Sequence, residues 1–138
     1  MNGVLEDADC AAALPGAVSC CRHAGKGCAI PTRMLVPRSR YDEAVGAVRA
    51  GFEGWSYGDP TDTANLQGPQ FSRRQQERVP GHPATGVDEG ASPVVPGRRP
   101  HHPHLGWHVQ PTRLAVAHTS LAIAPDSGFG PATVLPPL

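Results

Sequence analysis

The sequence predicts a mixed α/β fold, and three observations carry that prediction. Thr32-Arg33-Met34-Leu35-Val36 has the apolar, β-branched character of a short, largely buried strand, and Pro37 stops it by removing a backbone donor. Directly after it, Tyr41, Val45, Val48, Phe52 and Trp55 recur at steps of three and four, which gathers them on one face of a helix. Strand-like apolar runs then return far downstream, at Leu114-Ala115-Val116 and Leu121-Ala122-Ile123-Ala124.

The remaining elements follow in chain order. Val4-Leu5 reads as the end of a strand, and Asp7 or Asp9 is placed to cap a helix through Ala11-Ala12-Ala13-Leu14. Pro15 and Gly16 interrupt that helix. Ser39 is expected to cap the amphipathic helix, with Asp42 and Glu43 in its first turn and Gly51 to Gly54 marking its end. The stretch from Gly58 to Gly68 is dense in turn residues and reads as a loop. A short polar helix is expected from Phe71 to Val79, ended by Pro80, Gly81 and Pro83. Eleven of the sixteen prolines lie from Pro80 to Pro137. Residues 1–79 are therefore expected to form the folded core segment, and residues 80–138 a largely irregular, Pro/Gly-rich continuation of the same domain.

Bulk chemistry excludes several function classes. Twelve basic and twelve acidic residues cancel, so no strong pull toward nucleic acid is expected, despite the arginines at 38, 40, 73, 74, 98 and 99. No apolar run reaches the length needed to span a bilayer, so no membrane partner is expected. The first seven residues lack the basic and apolar regions of a signal peptide, which makes the cytoplasm the expected location and free thiols the expected state of the four cysteines.

One of those cysteines, Cys28, lies in a Gly-rich loop, where taken alone it reads as a structural thiol and only the resemblance given below makes it a nucleophile. In His23-Ala24-Gly25-Lys26-Gly27-Cys28, the glycines let the backbone turn closely around a substrate. Lys26 and His23 place potential positive charge nearby in sequence, of the kind that favours a thiolate. Metal ligation is the rival use of these residues. Cys10, Cys20, Cys21, His23 and Cys28 offer soft ligands, but they contain no Cys-x-x-Cys pair and match no common zinc spacing, so no metal site is expected. His101-His102-Pro103-His104, with His108 close by, reads as a solvated, Pro-broken loop rather than a surface zinc or nickel site.

Three stretches give the chain its resemblance to the aldehyde dehydrogenase family. Val4-Leu5-Glu6-Asp7-Ala8-Asp9 is similar to the Val-Leu-x-Asp-Ala-Asp that precedes the family's nucleophile. Gly25-Lys26-Gly27-Cys28 resembles the signature Gly-Gln-x-Cys, and Thr32 to Val36 and Tyr41-Asp42 follow at the family's offsets. Phe129-Gly130-Pro131 resembles the end of Glu-Glu-Ile-Phe-Gly-Pro, which lies near the nicotinamide ribose. Between them, Gly68-Pro69 and Gly106-Trp107-x-Val109-x-Pro111-Thr112 match family spacings.

The resemblance implies a partial catalytic domain of that family, with an open, mostly parallel sheet flanked by helices. It implies Cys28 as the nucleophile that adds to an aldehyde, NAD or NADP as the hydride acceptor, and Phe129 as a cofactor contact. It also marks departures. Lys26 stands where the family has Gln, Cys21 where it has an aromatic residue, and Ser127 where it has the ribose-binding glutamate. The Glu-Leu-Gly-Gly-Lys stretch of the general base and the Gly-rich dinucleotide segment are absent from the sequence. The chain alone is therefore expected to be inactive. The alternative is a non-enzymatic remnant or interaction fragment that associates with a full-length relative through Thr32–Val36 or the Tyr41–Trp55 helix.

Overall fold

A computed structural model describes residues 2–95, 97, 106–116, 120–121, 123 and 129–138. The chain opens with β1 (Asn2–Gly3), which pairs in parallel with β2 (Met34–Leu35). Between them lie α1 (Cys10–Ala13) and a 3₁₀ segment, Leu14–Gly25. Asp9 caps α1 by accepting from the Ala11 N–H at 2.9 Å, and the α geometry stops before Pro15, as the sequence predicts. A 3₁₀ turn at Arg38–Arg40 leads into α2 (Tyr41–Glu53), followed by a turn-rich loop and α3 (Arg73–Asp88). Three strands complete the chain: β3 (Ser92–Val95), β4 (Thr112–Ala115) and β5 (Ala132–Leu135).

β5 joins the two ladders. It runs parallel to β4, in register Thr112 with Ala132 through Ala115 with Leu135. Parallel bridges of Arg33 with Val134 and Val36 with Pro137 tie it to the β2 region. The Val134 N–H donates to the Thr32 carbonyl at 3.1 Å and the Leu138 N–H to Val36 at 2.7 Å. The spatial order is thus β1-β2-β5-β4-β3, parallel except for the antiparallel β3.

A mostly parallel sheet needs cover on both faces. Val134 and Leu135, adjacent on β5, belong to different cores, as the two-residue alternation of a strand requires. Leu135 joins Leu14, Ala17, Met34, Val36, Ala44, Val48 and Phe52 beneath α2 and the 3₁₀ segment. Val134 joins Ala91, Leu114, Val116 and Ile123, against which α3 packs through Gly86.

The structure corrects three expectations. Pro80 and Pro83 do not end the third helix, which continues to Asp88. Its buried residues, Gln75, Gln76, Val79, Pro83 and Gly86, form one stripe at helical spacing, and packing of that stripe outweighs the missing hydrogen bonds. Ser39 does not cap α2: the 3₁₀ turn moves the start to Arg40, and the Ser39 hydroxyl donates instead to the Glu6 carboxylate at 2.8 Å. Leu121 and Ile123 lie in turns rather than a strand, while Ala122 and Ala124 fall outside the described residues. The expectation of largely irregular structure over 80–138 also needs a narrower form. Among the described residues of 80–138, the end of α3 and three strands that complete the sheet are regular.

Candidate active site

Cys28 owes its position to a reversal of the backbone. The 3₁₀ segment breaks at Arg22, and His23, Ala24 and Gly25 then take successive positive φ values of 50°, 54° and 73°. For His23 and Ala24 this left-handed conformation costs about 1–2 kcal/mol each, so it persists only where the surroundings enforce it. The Lys26 N–H closes the reversal on the His23 carbonyl at 3.2 Å, and the Ile30 N–H closes the next turn on Gly27. Cys28 lies in this second turn and is exposed, whereas Cys10, Cys20 and Cys21 are buried. The structure therefore separates it from the other three thiols. Among the described residues no group of three or more His, Cys, Asp or Glu side chains converges as a metal site would require. His101, His102 and His104 lie outside those residues.

Three contacts enforce the reversal. The Gln70 side-chain amide, buried, donates from Nε2 to the Ala24 carbonyl at 2.9 Å. Lys26 Nζ donates to the Pro69 carbonyl at 2.8 Å, and partial burial pushes its ammonium below the usual lysine pKa. On the other side, Gly25 packs flat on Gly130 and Pro131: a Cβ there would fall on the Gly130 carbonyl. Glycine is thus required at 25 by both its φ and its neighbour.

That last contact brings the distant Phe129-Gly130-Pro131 stretch to the Cys28 turn. Phe129 has φ 47° and is 46% exposed. Its carbonyl accepts from Gln75 Nε2 at 2.7 Å, at the start of α3. Gly130 is held from behind by Val79, whose Cγ2 would lie 2.5 Å from any added Cβ. The Gly68-Pro69 and Gly106-Trp107 stretches meet here too. The Gln70 N–H donates to the Trp107 carbonyl at 2.8 Å, and Gly106, at φ 119°, sits against Pro69. Asp126, Ser127 and Gly128 lie outside the described residues.

Sequence reasoning missed the polar ties. Gln67, Gln70 and Gln76 are all buried, and their amides donate to the carbonyls of Val109, Ala24 and His108. A polar residue reads as surface until its partners are known, and here the partners are 32 to 46 residues away. Arg113 was missed for the same reason. It is 0% exposed on β4, with Nη1 donating to Thr133 at 2.7 Å and with Nε and Nη2 unpartnered. Burial pushes its guanidinium down to about 10. Close by, the Cys20 and Cys21 sulfurs lie 3.7 Å apart, and their mutual hydrogen bond and burial push the Cys21 thiol well above its ordinary range. These two thiols belong to the packed core, remote in character from the exposed Cys28.

The model of the aldehyde dehydrogenase family matches residues 1–137. Geranial dehydrogenase of Castellaniella defragrans is 37% identical over 131 residues, covering 93% of this chain and 27% of that protein. Two solved structures superpose with a TM-score of 0.92 over 99% of the chain and 29% of theirs. One is a Mycobacterium tuberculosis aldehyde dehydrogenase in complex with NAD+, 41% identical; the other is a mutant Pseudomonas syringae aldehyde dehydrogenase in complex with NAD+ and octanal, 32% identical. The chain thus spans under a third of the length of the relatives it matches.

Proposed function

The chain belongs to the aldehyde dehydrogenase family, and from that premise we propose that it supplies the nucleophile of an NAD(P)-dependent oxidation of an aldehyde to a carboxylic acid. The observation that carries the proposal is the contact of Gly25 with Gly130, which sets an exposed Cys28 turn beside an exposed Phe129. In this reading the Cys28 thiolate adds to the aldehyde carbon and the new oxyanion takes a proton, giving a thiohemiacetal on sulfur. Bound NAD or NADP supplies the acceptor for the hydride that leaves this carbon, and water then releases the acid from the resulting thioester. The Cys28 N–H, in a tight turn, is suited to hold the oxyanion.

Phe129 fits a cofactor contact. Its ring is half-exposed, its backbone is fixed by Gln75, and the residue after it touches the Cys28 turn. Phe129 is the only cofactor contact proposed for this chain. The sequence contains neither the Glu-Leu-Gly-Gly-Lys stretch of the general base nor a Gly-x-Gly-x-x-Gly segment, so turnover by the chain alone is not expected. Cytoplasmic residence belongs to the same proposal and accords with four free cysteines. Among the described residues no helix is long and apolar enough to cross a membrane.

The test is protection of the thiol. Octanal is expected to slow alkylation of Cys28 by iodoacetamide in proportion to its concentration, without steady formation of NADH or NADPH when either cofactor is added. Alkylation indifferent to the aldehyde would remove Cys28 as the nucleophile. Sustained reduction of cofactor would instead overturn the expectation that the chain is inactive alone.

A further inference from the structure

We infer that the Pro69–Gln70 pair is the positioning element of the Cys28 turn, the Gln70 amide holding Ala24 and the Pro69 carbonyl holding Lys26. The inference rests on the reading of Cys28 as nucleophile and names what keeps that nucleophile in place. The turn does not hold itself. Three successive left-handed residues, two of them not glycine, have no local preference for that conformation. The Ala24 carbonyl is buried, and the side chain that satisfies it comes from 46 residues away.

The orientation of the Gln70 amide is fixed by chemistry. A carbonyl only accepts, so Nε2 must face Ala24. The Gln70 Oε1 is left buried without a partner, so the amide serves here as a donor alone. Its own backbone is anchored by the N–H to Trp107 at 2.8 Å, which makes it a fixed post rather than a mobile side chain. One residue earlier, the Pro69 carbonyl takes Lys26 Nζ at 2.8 Å. The two ties straddle Gly25 in sequence, while Gly130 and Pro131 close it from the far side. Cys28 follows two residues after the second tie, so any slack in the ties displaces the sulfur.

Alkylation of Cys28 by iodoacetamide in the full chain, followed by peptide mass spectrometry so that the buried thiols are counted separately, reads the turn directly. Gln70→Met keeps the volume and removes the donor; it is expected to slow Cys28 about threefold to tenfold at every pH, because a thiol loses reactivity with its surroundings. Gln70→Glu donates only when protonated. Its rate relative to the native chain is therefore expected to be near one in acid and to fall to the Met level as pH rises. Lys26→Met, at a partly exposed side chain, is expected to slow Cys28 as well, and still to do so in roughly molar salt, where charge effects are screened within about 3 Å. It decides the matter should the buried Gln70 variants fail to fold. Native rates in Gln70→Met, a Gln70→Glu ratio flat with pH, or a Lys26→Met effect abolished by salt would each overturn the clamp. Iodoacetamide asks nothing of aldehyde addition. A chain that shows the titrating ratio yet no protection by octanal would lose the nucleophile and keep the clamp.

Discussion

Gly25 and Gly130 meet backbone to backbone, and this single contact decides whether the Cys28 turn and the Phe129 segment face one site. Gly25→Ala places a methyl on the Gly130 carbonyl and a side chain at φ 73°, with no flexible atom to yield. A loss of about 3–5 kcal/mol is expected, read as a lower urea midpoint, and a loss below roughly 1 kcal/mol would mean that the two segments do not touch. Arg113 is expected to behave in the opposite sense. Its guanidinium is buried with two nitrogens unpartnered, so Arg113→Met should stabilise by about 1–4 kcal/mol. The pH dependence separates this from a packing effect. With the folded group at about 10 and the unfolded one at its higher ordinary value, the unfolded chain binds more protons between the two. Stability from this group therefore rises with pH across that window, and the rise should be missing in Arg113→Met. The family resemblance made Cys28 and Phe129 legible as candidates in the sequence. Gln70 and Arg113 were not, because what defines them is burial by partners distant along the chain.

At the scale of elements, α2 and α3 show which sequence signals hold. The step of three and four from Tyr41 to Trp55 predicts α2 to within two residues, because one apolar face is enough to bury it. In α3 the same periodicity exists at Gln75, Gln76, Val79, Pro83 and Gly86, but it is written in polar and helix-breaking residues. A proline in a helix interior costs about 3 kcal/mol, and that rule, sound for an isolated segment, hid a helix that the sheet holds in place. Pro80→Ala restores a backbone donor at a half-buried position and should stabilise the chain by about 1–3 kcal/mol, measurable as a higher thermal midpoint. No change would indicate that the helix is already broken there. Ser72, whose Oγ accepts from the Gln75 N–H at 3.3 Å, caps the same helix. Ser72→Ala should cost about 1 kcal/mol and loosen the Gln75 donor beneath Phe129.

For the whole molecule, the sheet order matters more than the content of either half. β5, near the end of the described chain, lies between β2 and β4, so the first 79 residues hold no complete sheet. A chain cut after Val79 is expected to be unfolded by circular dichroism, and native-like ellipticity from it would contradict the assigned order. Just beyond β1, which pairs only with β2 among the described residues, Leu5 is 68% exposed beside a groove lined by Val4, Pro37 and Leu138. Leu5→Lys is expected to raise solubility and leave the unfolding midpoint unchanged, since an edge is better guarded by charge. A mostly parallel sheet was legible through the family resemblance, but which strand lies beside which was not, because pairing between segments a hundred residues apart leaves no local mark. That same distance bears on how the molecule is made. Thr133 hydrogen-bonds to the Thr32 carbonyl across 101 residues of chain. At ribosomal speeds of about 5–20 residues per second, the early strands emerge on the order of ten seconds before the one that seals them, and a chaperone has that long to shield them.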